Sequence, residues 1–145
     1  MRRLMSFPGK VLVIDENPES RFLLTRSLVR KFPRTVVLEC SSAETAACTA
    51  RDEIVDVIVL HRATDVNGID LVEKMRDVSR APIIMVSGID RSAEARGAGA
   101  NFFLNYDEWL RIGTVVADLL SLPPPPDGEG ALSIPPRGGG PRVLR

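Results

Sequence analysis

The 145-residue sequence has no excess of charge of either sign, since 19 Lys and Arg balance 19 Asp and Glu. A chain without a net field gives no global reason to bind nucleic acid or an anionic membrane surface, and neither partner is expected. Cysteine is scarce: Cys40 and Cys48 stand eight residues apart with no second ligand pair, which argues against a disulfide framework or a cysteine-based zinc site. Both are expected as reduced, small buried hydrophobes. No run approaches the roughly 18 apolar residues of a membrane span. The opening Met-Arg-Arg-Leu-Met-Ser-Phe-Pro-Gly lacks the apolar centre of a secretory signal. What remains is a soluble, cytoplasmic chain with one domain large enough for a real core.

One stretch organises that domain. Val57-Ile-Val-Leu60 is apolar on both faces and β-branched, the composition of a strand covered by helices on both sides. It ends in His61, the only histidine, and in a loop that closes at the turn signal Asn67-Gly68. Ile69, Leu71, Val72 and Met75 then recur at helical spacing, so the unit reads strand, loop, helix. A loop of this kind lies at the carboxyl end of a strand, where open α/β sheets place their binding sites.

The same unit repeats along the chain. Lys10 to Ile14 is a strand delivering Asp15 and Glu16, followed by a helix with Pro18 in its first turn and an apolar face of Phe22, Leu23, Leu24, Leu28, Val29 and Phe32. Thr35 to Cys40 is a second strand, and Ala43 to Arg51 an alanine-rich helix behind a hydroxyl cap at Ser41-Ser42. Pro82 to Val86 is a fourth strand ending in Ser87-Gly88, and Asp90 to Ala98 a short helix stopped by glycine. Asn101 to Leu104 is a fifth, brief strand. Asp107 or Glu108 opens a last helix through Trp109 and Leu120. Five strands alternating with five helices require a mainly parallel sheet with right-handed crossovers, a three-layer doubly wound α/β/α fold. The organisation expected is an N-terminal extension over residues 1–9, the domain over 10–121, and a tail over 122–145. In that tail 12 of 24 residues are Pro or Gly, a composition read as flexible with local polyproline II.

Asp15, Glu16, His61, Ser87, Asn105 and Tyr106 all fall at carboxyl strand ends. Here the chain resembles the receiver domain of two-component response regulators, the CheY-like family. Val-Leu-Val-Ile-Asp15-Glu16-Asn-Pro-Glu-Ser-Arg21 resembles its first strand and acidic pair. Asp56-Val-Ile-Val-Leu60 resembles the strand that presents its phosphoacceptor, and Asn67-Gly68-Ile-Asp-Leu71 its glycine-containing turn. Pro82-Ile-Ile-Met-Val-Ser87-Gly88 resembles the strand with the switch hydroxyl, and Ala98-Gly99-Ala100-Asn-Phe-Phe-Leu104 the segment before the final strand's lysine. The resemblance implies a flavodoxin-like five-stranded parallel sheet of order 2-1-3-4-5. It also implies an aspartyl nucleophile, a divalent cation held by that residue and the acidic pair, and a lysine on the phosphoryl group. It assigns Ser87 to the switch hydroxyl and Phe103 to the switch aromatic.

The sequence departs from that pattern at the two chemical positions. The phosphoacceptor position is His61, and the lysine position, counted through Ala98-Gly99-Ala100, is Tyr106, with Asp107 in place of the usual proline. An imidazole brings no negative charge to an oxygen-loving Mg²⁺, a phenol brings no cation at neutral pH, and no acyl phosphate can form on His61. The loop from His61 to Gly68 is also one residue short, and Ser87 to Tyr106 is short enough to clip the fourth helix. The resulting expectation is a degenerate receiver that is not an enzyme, binds no cofactor, and signals by protein contact with a sensor kinase, an output protein or a second copy of itself. Other readings stay open. His61 is a structural imidazole bonded to Asp15 or Glu16, or it forms with both a weak set of ligands for Zn²⁺ or Mn²⁺ or for an anion. An unusual phosphoacceptor, His61 or Asp65, is a third reading. Asp15 and Glu16 are a vestigial metal pair or ordinary loop carboxylates, and Phe103 and Trp109 are switch and anchor or plain packing.

Overall fold

The computed structural model describes residues 8–62 and 67–121. Its strands are Lys10–Ile14 (β1), Val36–Cys40 (β2), Val57–Leu60 (β3), Ile83–Ser87 (β4) and Phe102–Asn105 (β5). Its α-helices are Pro18–Lys31 (α1), Ala43–Asp52 (α2), Gly68–Val78 (α3), Ser92–Ala98 (α4) and Ile112–Ser121 (α5). The sheet is parallel throughout, in the order β2-β1-β3-β4-β5. This is the doubly wound arrangement that alternating strands and helices demand, in the flavodoxin-like order that the resemblance implies.

Period-two alternation divides the core in two. Leu12, Ile14, Ile58, Leu60, Ile83 and Met85 point to one face and pack under α2, α3 and α4. Val11, Val13, Val57, Val59, Ile84, Val86 and Leu104 point to the other, under α1 and α5. The central strands are buried on both faces, which is why they read as unbroken apolar runs. Helix starts follow local chemistry. Asn17 Oδ1 accepts from the Glu19 and Ser20 amides behind Pro18, Ser42 Oγ accepts from the Thr45 amide, and Asn67 Oδ1 accepts from the Asp70 amide. Gly99, at φ 121°, takes the left-handed conformation that ends α4. The guanidinium of Arg76 then ties the chain on both sides of β4, donating to Ser79 O, Ala81 O, Gly99 O and Asn101 Oδ1.

Several elements differ from the sequence expectation. The last helix does not begin at Asp107. Asn105 Oδ1 accepts from the Asp107 amide and winds Tyr106–Arg111 into a 3-10 turn, and α5 starts only at Ile112. The short helix begins at Ser92, because Asp90 Oδ1 stays outside it and accepts from the Ser92 amide and hydroxyl. On α1 only Ser20, Leu24 and Leu28 are fully buried; Phe22 is 58% exposed and Val29 is exposed as well, so the inward stripe is narrower than the apolar count suggests. Cys40 is buried, whereas Cys48 faces outward on α2 while the alanines fill the tight helix–sheet contact. Residues 1–7, the loop residues 63–66 with Asp65, and the tail 122–145 lie outside the described residues.

Candidate functional site

Parallel pairing of β1 with β3 sets the ends of these two strands side by side. The His61 amide donates to Ile14 O at 2.9 Å, and the Glu16 amide to Arg62 O at 2.8 Å, so the ladder runs past both strands into the site. Asp15 is fully buried there, and His61 is 6% exposed. A carboxylate in such a place must be saturated with donors. His61 Nδ1 lies 3.0 Å from Asp15 Oδ2, the Ser20 hydroxyl donates to the same oxygen, and the Asn17 amide donates to Oδ1 at 2.9 Å. Arg21 reaches the backbone oxygen of Asp15 at 2.8 Å and pairs with Glu39 at 3.0 Å, clamping β1 to β2.

Burial works to raise the Asp15 pKa, but the donors from His61, Ser20 and Asn17 together outweigh it and hold the group below its ordinary value of 3.8. Asp15 is therefore a carboxylate at neutral pH, and an acceptor-only group requires the hydrogen on Nδ1 of His61. The imidazole is thereby fixed in orientation.

Tyr106, just past β5, closes the site. Its ring lies parallel to the imidazole of His61, with centroids 4.7 Å apart and an interplanar angle of 2°. Burial raises the pKa of the phenol above 10.0, and the Asp15 charge adds to the effect while Arg62 opposes it, so Tyr106 is neutral at pH 7. Two flat rings from β3 and β5 meet across the end of β4 and stack over a buried carboxylate. The phenol hydroxyl has no hydrogen-bond partner among the described residues, so the ring face carries the contact. Tyr106→Phe is accordingly expected to change stability by less than about 0.5 kcal/mol and Tyr106→Ala to cost about 1–2 kcal/mol, read by urea unfolding.

The remaining candidates are not drawn into this cluster. Glu16 is half-buried, and its side chain makes no hydrogen bond or ion pair among the described residues. Ser87 Oγ accepts from the Ile89 amide at 3.1 Å, as a turn hydroxyl. Phe103 packs half-buried against the core under α3 and α4, and Trp109 against the opposite core. Among the described residues no three His, Cys, Asp or Glu side chains gather as a metal-ligand group. The donor set does not fit the divalent cation that the resemblance implies. Asp15 is occupied by three donors, and the imidazole turns a protonated nitrogen, not a lone pair, toward it. Sequence reasoning gave no role to Ser20, Asn17 or Arg21. The signal was the polar first turn of α1 directly after a buried acid, which needs donors from somewhere close.

The fold is that of response-regulator receiver domains. The signal receiver domain of the response regulator NarL from Mycobacterium tuberculosis is similar with a TM-score of 0.69, over 77% of this chain and 95% of that one, at 24% identity. A mutant receiver domain of the histidine kinase CKI1 from Arabidopsis thaliana matches with a TM-score of 0.65 over 79% and 91%, at 26% identity. In sequence, 93 residues, 63% of the chain, are 34% identical to a protein-glutamate methylesterase/protein-glutamine glutaminase from Rhizobium etli. The match spans only 27% of that relative's length. No family model matches the chain. Its structural neighbours are thus two-component response-regulator receiver domains. Among the described residues no helix is long and apolar enough to cross a membrane.

Proposed function

We propose that this chain is a pseudo-receiver: a two-component signalling module that takes up no phosphoryl group at aspartate and works by contact with other proteins. The observation that carries the reading is the Asp15–His61–Tyr106 stack. In a receiver the corner between the first, third and fifth strand ends must supply a carboxylate nucleophile, space for a cation and a lysine. Here the same three strand ends supply a hydrogen-bonded imidazole and a neutral phenol in ring contact. The nucleophile and the ammonium are replaced together by two groups that complement each other, which fits a domain held in one state.

On this reading the chain is not an enzyme and binds neither Mg²⁺ nor another cofactor at the corner. Its partners are proteins of a cytoplasmic phosphorelay, a sensor kinase, an output protein or a second copy, and the signalling unit is residues 10–121. The test is spectroscopic. Adding beryllofluoride and Mg²⁺, or acetyl phosphate and Mg²⁺, is expected to leave the amide NMR spectrum unchanged. Saturable shifts centred on residues 61, 87 and 106 would overturn the reading, and so would stoichiometric transfer of phosphoryl to His61 or Asp65 from a kinase.

A further inference from the structure

A second concavity lies on the opposite side of the sheet from α3, between α1 and the start of α5. It is a cleft open to solvent with a volume of about 460 Å³, within the range of small-ligand sites. One wall is α1, which presents Arg26, Arg30 and Lys31 within about a turn and a half. The other wall is the 3-10 turn and α5, which contribute Trp109 and Leu110. Gly113 lets the walls approach: a Cβ there would stand 2.9 Å from Cβ of Lys31, so the lysine stem packs on the α5 backbone where the two walls meet.

The charge is unbalanced. The ion pairs of the described residues join Lys10 to Glu53, Arg21 to Glu39, Arg111 to Glu108 and His61 to Asp15; none involves Arg26, Arg30 or Lys31. Arg26 instead sits 5.9 Å from the centre of the Phe22 ring. Three cations therefore share one cleft in a chain of zero net charge, beside an indole and a leucine that is 71% exposed. All three residues are exposed, so their mutual repulsion is screened, and an anion seated between them would relieve what remains. Guanidinium groups match phosphate oxygens bidentately, and the apolar wall suits a planar ring. Spaced peptide carboxylates would answer the clustered charge less well than adjoining phosphates.

We infer that this cleft binds a nucleoside polyphosphate, with the phosphates on Arg26, Arg30 and Lys31 and the base against Trp109 and Leu110. The site is separate from the Asp15–His61–Tyr106 corner and needs no metal or phosphoryl transfer. Trp109 is the only tryptophan of the chain, so its fluorescence reports on the cleft directly.

The full chain is titrated with ATP in EDTA-containing buffer, following Trp109 emission and heat of binding, with tripolyphosphate and adenosine as separate probes. Saturable binding of ATP is expected, with tripolyphosphate and adenosine each about tenfold or more weaker. The double variant Arg30→Gln, Lys31→Gln, with unchanged circular dichroism, is expected to weaken ATP about tenfold or more. Absence of saturable heat and emission change with ATP overturns the assignment, as does undiminished binding in the double variant. Tripolyphosphate or poly-glutamate binding as tightly as ATP overturns it too, since the cleft would then be a general polyanion surface.

Discussion

Replacing the stacked pair by the residues of a competent receiver, His61→Asp with Tyr106→Lys, is expected to give a chain that acetyl phosphate labels in a Mg²⁺-dependent way, where the proposed function expects no labelling of the parent. Asp15 and Glu16 already stand at the end of β1, and the ladder that fixes position 61 beside Asp15 is made by backbone atoms that the substitution leaves alone. A carboxylate at position 61 would lie where an imidazole N–H now meets Asp15 at 3.0 Å. Two like charges at that separation, one of them fully buried, are costly until a divalent cation neutralises them. The double variant should therefore be less stable than the parent without Mg²⁺ and regain stability with it, by about 2.7 kcal/mol at a hundredfold excess over its Kd. The lysine at 106 restores the positive charge that a developing phosphoryl transition state needs. Intact-mass spectrometry after acetyl phosphate reads the labelling, and thermal melts with and without Mg²⁺ read the cation. A double variant that gains Mg²⁺-dependent stability yet stays unlabelled would sink the idea that these two positions alone separate this corner from that of a competent receiver. The shortened loop before Gly68 would then share the responsibility.

The fold was legible because its strands are buried on both faces. Val57–Leu60 and Val11–Ile14 are apolar at successive positions, which marks strands covered on both faces, although such runs leave face and register to the ladder pairing. Helix starts were legible at Pro18, behind the hydroxyls Ser41-Ser42 and after the turn signal Asn67-Gly68, whereas the capping roles of the Asn17 and Asn67 side chains emerged only in the structure. The onset of α5 was not, because the residue that decides it, Asn105, acts from the preceding strand and creates a 3-10 turn of helix-forming composition. Phe22 and Cys48 were misplaced for a related reason: residue type gives the average environment, while the four-residue spacing of Ser20, Leu24 and Leu28 gives the actual one. At the site, the strand-end positions of Asp15, His61 and Tyr106 came from the pattern, and so did the expected bond from His61 to a neighbouring carboxylate. The parallel stacking of rings from two strands that are not neighbours did not. It spans β4, which lies between β3 and β5 in the sheet, and pairwise strand reading does not contain that.

Removal of the imidazole, His61→Ala, is expected to cost about 2–4 kcal/mol at pH 5 and above, because it deletes a buried ring, a stacking partner and one of three donors to a buried carboxylate. Its dependence on acidity identifies which of these matters. In the parent, Asp15 has a folded-state pKa depressed below 3.8, so its contribution is complete above the unfolded value and is lost as pH falls through the folded one. In His61→Ala the burial that pushes the pKa upward remains, while the hydrogen bond that opposed it is gone. The folded-state pKa then rises, and folding favours the charged form less, with only Ser20 and Asn17 left as donors. The cost of the substitution should accordingly shrink between about pH 5 and pH 3, as protonation removes the buried charge that the variant cannot satisfy. Asp15→Asn completes a double-mutant cycle with His61→Ala. If the bond between the two side chains is the anchor, His61→Ala should cost about 1–3 kcal/mol less in an Asp15→Asn background than in the parent. Equal costs in both backgrounds, together with a cost that does not change between pH 5 and pH 3, would assign the loss to packing against Tyr106 alone. The imidazole would then hold the corner as a ring and not as a donor.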